Sequence, residues 1–302
     1  YLFGGRSWGS GATAGQNPQG GAVVYYYLAG NEDQEIKLEF VDMREQVVQS
    51  YSSKEDVRGR SVRESTLFYE DEQQTFRGSL GDKAGLHSYV WGLDYPGVTN
   101  IDGLQILWAG STAGPRALPG TYTVRMYVGE GLVGEQEFEV KKDPRLEQIS
   151  QEDLVAQFEL VQTINAKLDS THKAINKIRS VREEFREQMG SLGTDETSKT
   201  LFERAQSMMK AMTEIEEALV QTKAEATQDV LNFPIRLNNK LAALKSTVAT
   251  GYGRPTAQQY AVYDDLASKT DAHLMRLQKI WDGEYTDILE EIERPVMPIN
   301  ND

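Results

Sequence analysis

Val140-Lys141-Lys142-Asp143-Pro144-Arg145-Leu146 is the stretch at which the pattern of this chain changes. Before it, short β-branched and aromatic runs alternate with Gly- and Pro-bearing turns. After it, apolar residues recur every three or four positions. Pro144 cannot donate to a sheet ladder and pushes Asp143 toward extended backbone. Ser150-Gln151-Glu152-Asp153 then reads as a capping-box-like helix start. A last strand therefore ends here, and a first helix begins shortly afterwards.

Working back from the junction, Glu135–Val140 reads as the last strand and Val128–Gly134 as a hairpin turn region. Leu118–Met126 reads as a turn entering a strand, with Tyr122, Val124 and Met126 on one face and Pro119-Gly120 supplying the turn. Leu86–Leu93 reads as a core strand closed by Tyr95-Pro96-Gly97, followed by a loop holding Ile106-Leu107-Trp108. Gly21–Leu28, Ile36–Val41 and Val47–Tyr51 supply three further strands. The polar stretch between Ser52 and Gly85 is long for a connection and reads as an insertion, with a short strand expected at Thr66–Tyr69. Such a series buries its alternating faces as an immunoglobulin- or fibronectin-like β-sandwich.

Working forward, Leu154, Phe158, Val161, Leu168, Ile175, Ile178, Phe185 and Met189 trace one helix, ended by Gly190 and Gly193. Leu201, Ala205, Met208, Met212, Ile215 and Leu219 step at heptad spacing. Pro234 is expected to open a third helix, capped by Asn232 and carrying Leu237, Leu241, Leu244 and Val248. Thr256 with Gln259 forms a capping box for a last helix that runs until Pro295. Four such helices with modest connections predict an antiparallel four-helix bundle. The expected organisation is a Gly-rich linker over residues 1–20, a sandwich over 21–142, a bundle over 143–294 and a tail over 295–302.

The chain has 302 residues, 39% of them hydrophobic and 26% charged, enough for two globular cores. Its net charge is −14, spread as −6 over residues 1–142 and −8 over 143–302. That balance excludes a nucleic-acid backbone as partner, because phosphates need a concentrated basic surface. With no cysteine there is no disulfide, zinc–thiolate site or cysteine nucleophile. No apolar run reaches the length of a membrane span. The Gly-rich start at Tyr1, without Met or a leader pattern, reads as a mature product or part of something longer.

Several stretches resemble a known region. They are Asn17-Pro18 with Gly21–Leu28, Tyr89–Gly97, Gly114–Val124, Leu231–Leu241 and Gly253-Arg254-Pro255-Thr256. Together they are similar to the C-terminal region of bacterial exported proteins whose main body is a sortilin/VPS10-like or BNR-repeat β-propeller. Gly92 departs from the Asp more often found after Trp in that family. The resemblance covers nearly all of the chain and implies a module following a propeller. No Ser-x-Asp-x-Gly-x-x-Trp box or blade repeat occurs here. Glycosyl hydrolase labels in that family attach to the propeller. The implied role is non-catalytic binding and scaffolding at the cell envelope, with the upstream propeller, another envelope protein or a glycan as partner. The alternative is an accessory part of a glycoside hydrolase whose catalytic propeller lies elsewhere. The implied localisation is exported: periplasmic, outer-surface or extracellular.

Among individual residues, Tyr25-Tyr26-Tyr27 with Trp91 and Trp108 could form an aromatic platform for sugar rings. Trp108 leads because it sits in a loop, and Tyr25 and Tyr27 share one strand face. Arg236, Asn238 and Asn239 offer donors for a domain contact, against the plainer reading of a helix docked on its own bundle. His87, His172 and His273 lack metal-ligand spacing, so no metal or other cofactor is expected. The acidic runs Glu70-Asp71-Glu72 and Asp264-Asp265 read as solvated surface. Ser7, Ser10 and Ser111 lie near glycines without a Gly-x-Ser-x-Gly elbow, so no catalytic residue is assigned.

Overall fold

The computed structural model describes residues 20–30, 33–54, 80–101, 103, 106, 109–189, 195–226 and 228–293. The expected linker up to residue 19, the strand at Thr66–Tyr69, Trp108 and the tail from Pro295 lie outside the described residues. Two small antiparallel sheets on the N-terminal side are followed by helices.

Six strands are present: β1 (Ala22–Leu28), β2 (Ile36–Val41), β3 (Val47–Ser52), β4 (Gly85–Trp91), β5 (Gly120–Val128) and β6 (Gly131–Val140). β1 and β4 form a two-stranded sheet, and the other four are ordered β3-β2-β5-β6. Alternation decides which side chains enter the core. Tyr26, Leu28, Tyr89 and Trp91 from the first sheet share one buried cluster with Ile36, Leu38, Phe40, Tyr122 and Val124 from the second. Trp91 stacks on Phe40 at 4.6 Å between ring centroids and donates its indole N–H to the Asp94 carbonyl at 3.0 Å. Trp91 is therefore a core residue and leaves the expected sugar platform. Tyr122 closes the start of β5 by donating its hydroxyl to the Leu118 carbonyl at 3.0 Å.

The helices are α1 (Gln151–Met189), α2 (Glu196–Leu219), α3 (Leu237–Ala249), α4 (Ala257–Ile280) and α5 (Thr286–Glu293), the last two joined by a π-turn at Trp281–Tyr285. Within that turn the Thr286 hydroxyl donates to the Trp281 carbonyl at 2.8 Å. The heptad positions of α2 are all buried, in one cluster with Leu168, Ile175 and Phe185 of α1 and Leu241, Val248, Leu266, Leu277 and Ile288 of the later helices. Thr256 and Gln259 make the expected capping box. The start of α3 differs from expectation. Asn232 follows a 3-10 turn at Asp229–Leu231, and the extended residue Arg236 is the N-cap of a helix that begins at Leu237. Pro234 instead offers its carbonyl to the Gln221 side chain at 3.0 Å.

The chain divides into two compact units, but not by one cut at residue 142. Tyr1–Pro96 and Ala113–Gln151 form the first, and Gly97–Thr112 with Glu152–Asp302 form the second. Val98 and Ile101 explain the difference, because both are buried in the apolar cluster of the helices. Val98 and Ile101, from a stretch expected to be a loop of the strand half, therefore belong to the helical core.

Candidate functional site

Tyr25 and Tyr27 lie two residues apart on β1, so both project from the face opposite the buried Tyr26 and Leu28. Antiparallel pairing sets Tyr25 beside Ser88, Tyr27 beside Leu86 and Val23 beside Val90. Tyr25, Tyr27 and Leu86 are 68%, 70% and 71% exposed. None of these six positions carries a charge. The other side of the strands is fixed by packing: Tyr26 donates its hydroxyl to Gly81 at 3.0 Å and stacks with His87 at 5.1 Å. Gly81 suits that approach, since a Cβ there would come within 2.2 Å of the His87 ring.

The outer face of the four-stranded sheet has opposite chemistry. Lys37 pairs with Glu39 at 2.8 Å, and Arg125 reaches Glu45 at 2.6 Å and Glu135 at 3.4 Å. Lys37 also sits 4.5 Å from the Tyr127 ring centroid. Charged side chains there follow the usual rule for a solvated sheet face. The β1–β4 face breaks that rule, and the sequence reading places two of its residues there, Tyr25 and Tyr27.

The other expected contact group separates. Arg236 is exposed, whereas Asn238 and Asn239 are buried on α3. His172 is buried and His273 half-buried, and no group of three His, Asp or Glu able to hold a metal occurs among the described residues. Asp264 and Asp265 are exposed, and Asp265 pairs with Lys269 at 2.6 Å.

Three polar constellations in the helical unit escaped the sequence reading. In the first, Asp169 Oδ1 accepts from the Thr99 backbone N–H at 2.8 Å and its hydroxyl at 2.6 Å. His172 Nδ1 meets the Thr99 carbonyl at 2.7 Å, and Asn176 donates to the Asn100 carbonyl at 2.9 Å. Burial alone would raise the Asp169 carboxyl, but the hydrogen bonds from Lys173 and Thr99 outweigh it and hold the carboxyl below its usual value. Burial pushes His172 down, against the opposing hydrogen bond with the Thr99 carbonyl. Its Nε2 has no hydrogen-bond partner among the described residues.

In the second, the buried Glu216 of α2 accepts from Arg179 Nε and from an Arg182 terminal nitrogen, each at 2.8 Å. They border an open groove of about 550 Å³ that also meets Arg186, Glu183 and Glu217. Three guanidinium groups and three carboxylates line it, so the groove carries no net charge.

In the third, Lys245 of α3 donates its ammonium to the Ser111 hydroxyl at 3.0 Å. Lys245 is only 4% exposed, and no carboxylate pairs with it among the described residues. Burial pushes its ammonium down to about 8. These pairs are far apart in sequence, and only the fold unites them. Comparison with protein-family models, with curated proteins and with solved structures finds no match to this chain.

Proposed function

We propose that this chain is a binding and scaffolding module of an exported bacterial β-propeller protein. In this reading the strand unit is an immunoglobulin-like sandwich and the helical unit an antiparallel four-helix bundle. Support for the first comes from the aromatic core that both sheets share around Trp91, and from the Tyr122-to-Leu118 hydrogen bond at the start of β5. Support for the second comes from the single apolar cluster to which all five helices contribute.

One observation carries the binding role: the uncharged outer face of the exposed Val23, Tyr25, Tyr27, Leu86 and Ser88, with the half-buried Val90 beside them. Two tyrosine rings on a paired strand offer flat apolar surfaces with hydroxyl rims at low ordering cost. That chemistry suits a neutral glycan or the apolar patch of an envelope protein. Calorimetric titration with neutral β-linked oligosaccharides tests the first partner, using wild type and a Tyr25→Ala/Tyr27→Ala variant. Saturable binding that the double variant loses is the expected result. A photo-crosslinker at residue 25 tests the second partner on cells of the source. If neither a glycan nor a protein engages this face, the reading fails.

A further inference from the structure

We propose that Ser111 and Lys245 form a nucleophile–base pair able to transfer the acyl group of a carboxylic ester to water. This centre lies in the helical unit and owes nothing to the tyrosine face, so either proposal can fail alone. A buried ammonium is normally paired, and here its one hydrogen-bond partner among the described residues is a neutral hydroxyl. A methionine would fill the same space without that desolvation penalty. What the lysine supplies is a primary amine that burial biases toward its neutral, proton-accepting form. The serine oxygen is 3.0 Å from it, within reach for proton transfer.

Both partners are held in place. Lys245 belongs to the third turn of α3. Ser111 lies two residues after Ala109, whose φ of 70° is a left-handed conformation that residues other than Gly, Asn and Asp rarely adopt. The Ser111 backbone N–H is directed to the Ala242 carbonyl at 3.4 Å, and the Val98 N–H closes the segment on the Thr112 carbonyl at 2.9 Å. Ser111 is half-buried, whereas Lys245 is buried.

The step balances as written. Ser111 Oγ forms a bond to the ester carbonyl carbon while its proton passes to neutral Lys245 Nζ. The bond from that carbon to the alcohol oxygen breaks, and the leaving oxygen takes the proton back from Nζ. Water then bonds to the acyl carbon while passing a proton to Nζ; the bond from that carbon to Ser111 Oγ breaks, Oγ takes the proton back from Nζ, and the carboxylic acid leaves.

The test treats the whole chain with a fluorophosphonate probe and locates the adduct by peptide mass spectrometry. A Ser111 adduct is expected, forming faster as pH rises through about 8, the value at which the lysine gives up its proton. Ser111→Ala should abolish it. Lys245→Met, shown folded by circular dichroism, should slow it by at least about 100-fold, the scale of a lost general base. Absence of an adduct above a denatured control overturns the proposal, and so does undiminished labelling of folded Lys245→Met. Should that variant not fold, the wild-type pH profile decides: a rate flat from pH 7 to 9 refutes the pair.

Discussion

Replacing Lys245 with methionine is expected to stabilise the helical unit, although it removes a hydrogen bond. The folded-state ammonium titrates at about 8 against an ordinary value of 10.5. That gap corresponds to about 3 kcal/mol of penalty on the charged form at pH 7. Methionine keeps most of the stem's apolar contact and forgoes a bond to Ser111 worth about 1 kcal/mol, so a net gain of about 1–2 kcal/mol is expected. The sign with pH follows from proton counting. Between pH 8 and 10.5 the unfolded chain holds the lysine proton and the folded chain does not, so this group's contribution to stability rises with pH across that window. Below pH 8 the penalty is fully present and constant. The buried Tyr26 and the half-buried Tyr263, whose hydroxyls burial pushes upward, act oppositely near pH 10. The useful quantity is therefore the difference between wild type and Lys245→Met. Urea unfolding followed by far-ultraviolet circular dichroism at several pH values from 7 to 10.5 measures it. The variant's advantage should hold below pH 8 and shrink between pH 8 and 10.5. A variant less stable than wild type at pH 7, or an advantage independent of pH, would refute the uncompensated-cation argument.

Two further outcomes follow from the same unit. Glu216→Ala removes the buried acceptor that Arg179 and Arg182 share and should cost about 3 kcal/mol, because two partly buried guanidinium groups lose that common carboxylate; a loss below about 0.5 kcal/mol in urea unfolding would make the cluster ornamental. Burial holds the folded-state pKa of His172 below the ordinary 6.5 of the unfolded imidazole, against the opposing Thr99 hydrogen bond. Stability should therefore fall as pH drops below 6.5, and His172→Asn should flatten that slope in acid unfolding curves.

The parts of this fold legible in the sequence are those where one periodicity decides the outcome. The α2 seam from Leu201 to Leu219 is buried throughout, as its heptad steps require. Thr256 and Gln259 form a capping box because the motif needs only residues three apart. Tyr25 and Tyr27 emerge on the open face because strand alternation leaves them no other choice once Tyr26 is buried. Trp91 shows the limit. Alternation puts it on the face of Tyr89, but whether that face meets solvent or a second sheet depends on β2, fifty residues away in the chain, through Phe40. The start of α3 was misplaced for a related reason. Asn232 and Pro234 carry helix-start chemistry, yet the Pro234 carbonyl is taken by Gln221 from the end of α2, and the helix waits for Leu237.

The segment Gly97–Thr112 makes the same point most strongly. Its composition, with Gly103, Gly110 and scattered polar residues, is that of a surface loop. A surface loop, however, does not carry Val98 and Ile101 into an apolar core. Burying that backbone requires partners for its polar groups. The helices provide them: Asp169 for the Thr99 N–H, His172 for its carbonyl, Asn176 for the Asn100 carbonyl and Lys245 for the Ser111 hydroxyl. Asp169, His172 and Asn176 lie at i, i+3 and i+7, one stripe along α1. In sequence that stripe looks like ordinary solvated helix surface, and the apolar pair looks like chance. Neither pattern has meaning alone; each is the reason for the other. A polar stripe on an amphipathic helix is therefore a candidate seat for a distant segment whenever that segment carries unexplained apolar residues spaced three apart.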